Sequence, residues 1–271
     1  MTPVLAVELT ALGLTSGFLA GLLGIGGGML MVPFLTFILG SLGTAPELAV
    51  KMSIATSMAT IMFTSLSSVR AHHKRGAVRW PVVVAMAPGL VIGGLLAGFG
   101  LFALIKGAWL ALAFAAFVSF SGWQMLANRR PTPSRALPGA VGQLAAGTGI
   151  GMLSGLVGAG GGFVSVPYMV WCNVPVHAAV ATSAALGFPI AFANTLGYLF
   201  GRPESATLPG TVGYVYLPAL AVIAAASVLM APLGAKAAHA MNVAQLKRAF
   251  AYLLFALAAY MLFKGLQPLL A

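Results

Sequence analysis

Two stretches of this chain, GFLAGLLGIGGGMLMVPFL at 17–35 and GMLSGLVGAGGGFVSVPYM at 151–169, align without a gap at an offset of 134, with ten of 19 positions identical. Each holds three successive glycines (Gly26, Gly27, Gly28 and Gly160, Gly161, Gly162) and a proline shortly after (Pro33, Pro167). Three glycines in a row leave the backbone unrestrained and break a helix. The apolar runs that follow, 28–40 and 162–173, have 13 and 12 residues, about 20 and 18 Å as helix. A hydrocarbon core is about 30 Å thick, so neither run easily spans it.

The rest of the composition supplies the membrane. Of 271 residues, 60% are hydrophobic and 6% charged, with a mean hydropathy of +1.01; soluble domains carry roughly 25% charged residues. Eight further apolar runs fall at 3–23, 46–69, 81–104, 107–127, 138–157, 175–200, 212–234 and 244–267. The chain reads as an all-α polytopic membrane protein with discontinuous helices after Gly-rich turns, and its length leaves no room for a soluble domain. A net charge of +11 would suggest nucleic acid in a soluble protein. Here the basic residues lie between apolar runs and read as topology signals, so the expected partner is the lipid bilayer and not nucleic acid. The single Cys172 excludes an internal disulfide and a thiolate metal cluster. The N-terminus MTPVLAVEL has no basic segment before its apolar run, so no cleavable signal peptide is expected.

The duplication extends beyond the glycines. Ala55-Thr56-Ser57 matches Ala181-Thr182-Ser183 at an offset of 126, although Ala49, Val50 and Ser53 also fit Ala179, Val180 and Ser183, about one helical turn away. Between the copies lies the Pro-rich, basic NRRPTPSRALP (128–138). This divides the chain into a first membrane repeat, 1–127, a basic linker, 128–138, and a second membrane repeat, 139–271. The loop RAHHKRGAVRW (70–80), the linker and the 235–248 region together hold ten of the 14 basic residues. By the positive-inside rule all three face the cytoplasm. With five segments per half, the second repeat then enters the membrane upside down, giving an inverted-repeat bundle with both termini outside, an arrangement shared with secondary transporters.

Broken helices at corresponding places in two halves point to a binding site, and a helix starting at a glycine turn offers free N–H groups suited to an anion. Gly13, Gly17, Gly21 and Gly147, Gly151, Gly155 recur every four residues and read instead as close helix packing. The polar residues after each turn (Thr56, Ser57, Thr60, Thr64, Ser65; Thr182, Ser183, Asn194, Thr195) can donate to an oxyanion without burying a charge, or can bond backbone and neighbouring helices. Lys51 can snorkel or draw anions into the path. His177 can be a pH-sensitive ligand group or an interfacial histidine. No residue set suggests a metal, and no G-x-S-x-G turn, H-E-x-x-H or acid pair suggests an enzyme.

The paired pattern G-x-G-G-G-x(4)-P (24–33 and 158–167), the duplicated ATS segments, SSVRAHHKRGAVRW (67–80) and ANTLGYLFG (193–201) resemble the sulfite exporter TauE/SafE family of membrane permeases through essentially the whole chain. The resemblance implies cofactor-free transport of sulfite, sulfoacetate and related sulfonates, mostly outward across the bacterial cytoplasmic (inner) membrane. Carried onto this chain, its central region falls at Gly26–Gly28, Pro33, Thr56, Ser57, Gly160–Gly162, Pro167, Thr182, Ser183 and Asn194. The leading expectation is therefore a secondary transporter of small sulfur-containing anions. An uptake permease or channel for a small anion, with or without proton coupling through Glu8, Glu47 or His177, is the alternative. Association as a homodimer is left open.

Overall fold

A computed structural model describes residues 2–24, 27–127, 135–203, 208–240 and 244–270. Among them are ten helices and one short hairpin. The first five helices are α1 (Pro3–Leu23), α2 (Gly28–Ser41), α3 (Pro46–His73), α4 (Trp80–Leu104) and α5 (Gly107–Leu126). The second five are α6 (Ala140–Val157), α7 (Gly162–Trp171), α8 (Val176–Leu199), α9 (Leu217–Ala240) and α10 (Ala244–Leu270). Eight are long and apolar enough to cross a membrane. The two that follow the glycine turns, α2 and α7, have 14 and 10 residues, about 21 and 15 Å. The chain is thus an all-α, multi-pass membrane protein.

Local sequence explains the breaks. α1 and α6 each end on a glycine in the left-handed region, Gly24 (φ 68°) and Gly158 (φ 73°), whose N–H donates to Ala20 O and Ser154 O. Such an αL glycine is the ordinary way to stop a helix. α2 and α7 then begin after Gly27 and Gly161, both at φ 75°. The short helices also close alike: Thr44 N–H donates to Leu39 O and Val174 N–H to Met169 O.

Two sequence expectations are corrected. The run 212–234 does not begin as helix: Thr211–Val212 pairs antiparallel with Val215–Tyr216 (β1 and β2), and α9 starts only at Leu217. Hydropathy cannot tell a short apolar strand from a helix, and Gly210 (φ 86°) and Gly213 (φ 57°) force the turn. α3 also continues past 69 to His73, since helix hydrogen bonds do not require apolar side chains. In α4, residues Leu96–Leu101 form a π-helical turn.

α3 and α8 form the axis, with 72% and 61% of their apolar windows buried against 33–50% for the other six spans. Around them α1 packs on α9, α4 on α6 and α5 on α10. Numbering each second-half helix five above its first-half counterpart, every principal contact recurs: α1 with α9 as α6 with α4, α3 with α9 as α8 with α4, and α2 with α3 as α7 with α8. The contact glycines behave as their spacing predicts. Gly13, Gly17 and Gly21 face Ile223, Ser227 and Ala231 in turn, so α1 and α9 run in the same direction. Gly147 and Gly151 face Met86 and Leu90, so α4 and α6 also run together. At each of the five a methyl group would fall on backbone of the partner helix. Large apolar side chains such as Phe37, Trp109, Trp123, Phe192 and Phe263 are exposed on the outside, where lipid, not water, is the solvent.

The α3–α4 loop marks one end of the bundle, the basic end. There Arg75 Nη1 donates to Ala235 O (2.8 Å), and His72 Nε2 lies 3.2 Å from Gly21 O. At the far end Lys51 Nζ donates to Ala103 O (3.1 Å) and sits 6.0 and 5.7 Å from the Phe102 and Tyr214 ring centres.

Candidate functional site

The two ATS segments lie on the axis helices, and Thr56, Ser57, Thr182 and Ser183 are all buried. Their hydrogen bonds correspond pair by pair. Ser57 Oγ donates to Gly158 O (3.2 Å), and Ser183 Oγ donates to Gly24 O (2.9 Å). Thr56 Oγ1 accepts from Tyr216 N–H and Thr182 Oγ1 from Arg79 N–H, both at 3.0 Å. Of the two registers that the sequence allows, these bonds follow the offset of 126. Each serine thus satisfies a carbonyl left over where a helix of the other half stops. Ser183 Oγ is also 2.8 Å from Ser165 Oγ of α7.

The turns themselves meet. Gly28, the first residue of α2, lies so close to Gly158 O that any side chain there would collide with backbone. At the starts of α2 and α7, the N-cap glycines bring no capping side chain, so first-turn N–H groups are left without an intrahelical acceptor. What gathers at the centre is therefore neutral and polar: peptide N–H groups, hydroxyls and carbonyls.

The residues singled out in the sequence divide accordingly. Gly27, Gly28, Gly160, Gly161, Gly162, Thr56, Ser57, Thr182 and Ser183 come together at or beside the turns. Gly26 lies outside the described residues. Pro33 and Pro167 sit within α2 and α7, buried and half-buried. Asn194 is elsewhere, in the seam between α4, α6 and α8: its Nδ2 donates to Ile190 O (2.8 Å) and Gly151 O (3.4 Å), and its Oδ1 accepts from Tyr198 Oη (3.4 Å). Lys51 belongs to the far end, and His177 is exposed at the start of α8.

Sequence reading did not find Ser68. A cavity of about 10 Å³ opens on the basic side of the turns, lined by Thr64, Ser65 and Ser68 of α3 and Ser183 and Gly187 of α8. Gly24 and Gly160 bring one glycine turn from each half to it. Thr64, Ser65 and Ser68 share a helix face by their spacing, but Ser68 is hidden at the edge of the basic loop signature. Thr64 Oγ1 is 2.6 Å from Ser227 Oγ of α9, and Ser65 Oγ donates to Met62 O (3.1 Å).

A bundle of membrane-spanning helices with two half-length helices whose glycine turns meet at its centre, around neutral polar groups, has the build of a membrane transporter. The chain belongs to the sulfite exporter TauE/SafE family, which it matches over residues 9–261. It is 31% identical to a probable membrane transporter protein of Haemophilus influenzae over 256 residues, covering 93% of this chain and 96% of that one. It is 29% identical to a probable membrane transporter protein of Methanocaldococcus jannaschii, covering 84% of each. A probable membrane transporter protein of Bacillus subtilis is 26% identical over 79% of this chain and 82% of its own. No solved structure matches the chain. The protein is a membrane transporter rather than an enzyme.

Proposed function

We propose that the protein is a secondary transporter that moves small sulfur-containing anions, such as sulfite or sulfonates, outward across the cytoplasmic membrane. In this reading the two repeats are inverted copies, the basic end is cytoplasmic, and the substrate passes between the two glycine turns. The observation that carries it is the meeting of those turns at the bundle centre, each carbonyl held by the ATS serine of the other half. Helix directions support the inversion. α1 and α3 end together at His72 and Gly21, α4 returns from α3 through a short loop, and α6 runs with α4. α6 therefore opposes α1.

Electrostatics supports an anion. The whole chain has three acids, Glu8, Glu47 and Glu204. Glu8 belongs to the start of α1 and Glu47 to the start of α3, both away from the basic end, and Glu204 lies outside the described residues. Outward movement needs no coupled ion, because an inside-negative potential favours anion exit by about 2.3 kcal/mol per charge per 100 mV. The family's description as sulfite exporters supports both substrate class and direction. The test is counterflow in proteoliposomes against sulfite, sulfonates, sulfate and carboxylates. Exchange restricted to the carboxylates would refute the substrate class.

A further inference from the structure

Ser68 is 2% exposed, and its hydroxyl has no hydrogen-bond partner among the described residues. A buried hydroxyl left unpaired is costly, yet this one lines the cavity at the basic side of the glycine turns. Its neighbours Thr64, Ser65 and Ser183 are already engaged, so Ser68 is the cavity hydroxyl with its bonding capacity open.

The equivalent place in the other half is built differently. At the offset of 126, Thr64, Ser65 and Ser68 of α3 correspond to Ile190, Ala191 and Asn194 of α8, while Ala184 and Gly187 correspond to Met58 and Ile61. Ile190, Ala191, Met58 and Ile61 are fully buried, and Ile190 packs its Cδ1 against Gly161. Hydroxyls, one of them unpaired, and a glycine thus leave room toward the basic end, whereas apolar side chains and the hydrogen-bonded amide of Asn194 fill the matching room toward the far end.

We infer that this cavity is the loading subsite for an oxyanion arriving from the basic end, with the Ser68 hydroxyl as its donor. The Met58, Ile61 and Ile190 cluster is then the barrier on the far side. This inference deepens the transport reading and rests on it for the direction of loading. Charge selects the ligand: the loop that closes α3 beyond the cavity carries Arg70, Lys74, Arg75 and Arg79, and neither Glu8 nor Glu47 is near. A cavity of about 10 Å³ is at the lower limit for one water molecule. An oxyanion therefore requires α3 and α8 to part beside Gly187, whose added methyl would lie 3.2 Å from Ser65 Cβ.

Two variants and one labelling experiment test this. Ser68→Ala removes the donor without creating an unpaired group, so the protein is as stable as before or more so. The apparent KM for sulfite counterflow rises about tenfold, the value of one hydrogen bond to a charged ligand. Gly187→Ala, at an ordinary helical φ, crowds Ser65 where the helices must part, and it raises the apparent KM of the folded protein several-fold. In a Cys172→Ser background, Ser68→Cys in inside-out vesicles reacts faster with an anionic than with a cationic methanethiosulfonate, and methanesulfonate or sulfate slows that reaction. Unchanged KM in both variants, or labelling indifferent to reagent charge and to both anions, overturns the subsite. If the wild type moves no sulfur anion while sulfate still protects Ser68→Cys, the subsite stands and the assigned cargo falls.

Discussion

The two glycine turns look alike in sequence, but their surroundings predict unequal damage from the same methyl group. Gly27 and Gly161 share a φ of 75°, where an L-residue costs on the order of 1–2 kcal/mol. The added Cβ of Gly161→Ala would lie 2.6 Å from Ile190 Cδ1, the far end of a side chain that can rotate at about 0.5–1.5 kcal/mol. In Gly27→Ala it would lie 2.7 Å from Ser16 O, a backbone atom of α1. That atom can move only if α1 moves, and α1 is locked to α9 through Gly13, Gly17 and Gly21. Overpacking against fixed structure costs about 1–3 kcal/mol more. The expected order of destabilisation is therefore Gly27→Ala above Gly161→Ala, by roughly 0.5–1.5 kcal/mol on those same figures. Gly149→Ala is the reference, because nothing lies within 4 Å of its added methyl and helix propensity favours it by up to about 1 kcal/mol. Gly17→Ala and Gly151→Ala are unsuitable references, since each drives a methyl into partner backbone and pries a helix pair apart. Denaturant unfolding in mixed micelles measures the order, and counterflow per folded molecule measures function. Both turn variants should lose transport beyond their loss of folded protein. Equal stability of Gly27→Ala and Gly161→Ala, or damage from Gly149→Ala matching either, would refute the packing argument.

Orientation is checked by single cysteines in a Cys172→Ser background. Lys106→Cys should react with an impermeant reagent on intact cells and Lys74→Cys only after permeabilisation, and the reverse pattern inverts the molecule. In proteoliposomes without a pH gradient, a negative-inside potential should accelerate anion efflux; efflux that follows ΔpH alone would establish proton coupling and turn attention to Glu8, Glu47 and His177. Asn194→Leu should cost about 1–3 kcal/mol through the bonds it leaves unmade, with the KM of the folded fraction unchanged. A raised KM at wild-type stability would return Asn194 to the substrate path.

Most of the fold was legible because a bilayer demands apolar runs of a fixed length, and the two runs too short to meet that demand stood out with their glycines. The six spaced glycines were legible for the same reason that they pack: only a residue without Cβ lets backbones approach as α1 and α9 do. The hairpin at Thr211–Tyr216 was not, because Val212, Tyr214, Val215 and Tyr216 satisfy a hydropathy scale as well as helix would. Asn194 shows the limit at the site. Its residue type announces a buried amide that must be paired, but the partners, Gly151 O and Tyr198 Oη, come from another helix and another turn of its own. Ser68 was missed for a related reason. Its significance is an unmade bond, and that is a property of surroundings that no residue carries in its own identity.

The division of labour within each ATS segment bears on how such a centre can open. Thr56 holds Tyr216, the residue before α9, and Thr182 holds Arg79, the residue before α4. Ser57 holds the turn that ends α6, and Ser183 the turn that ends α1. Since α1 packs on α9 and α6 on α4, the ATS segments pin each of these pairs to the axis twice, through the threonine of one axis helix and the serine of the other. Their small-residue seams resist sliding within a pair, because the glycines interlock with partner backbone. The α1–α9 pair meets the cavity at Ala20 and Gly24; Ser183 Oγ ties it there to α8, while Thr64 and Ser67 tie α9 to α3 at Ser227 and Val228. Parting that pair from α8, with α3 moving along, therefore breaks one serine hydrogen bond and leaves Thr56–Tyr216 at the far end intact, whereas separating either helix pair prises interlocked glycines from partner backbone.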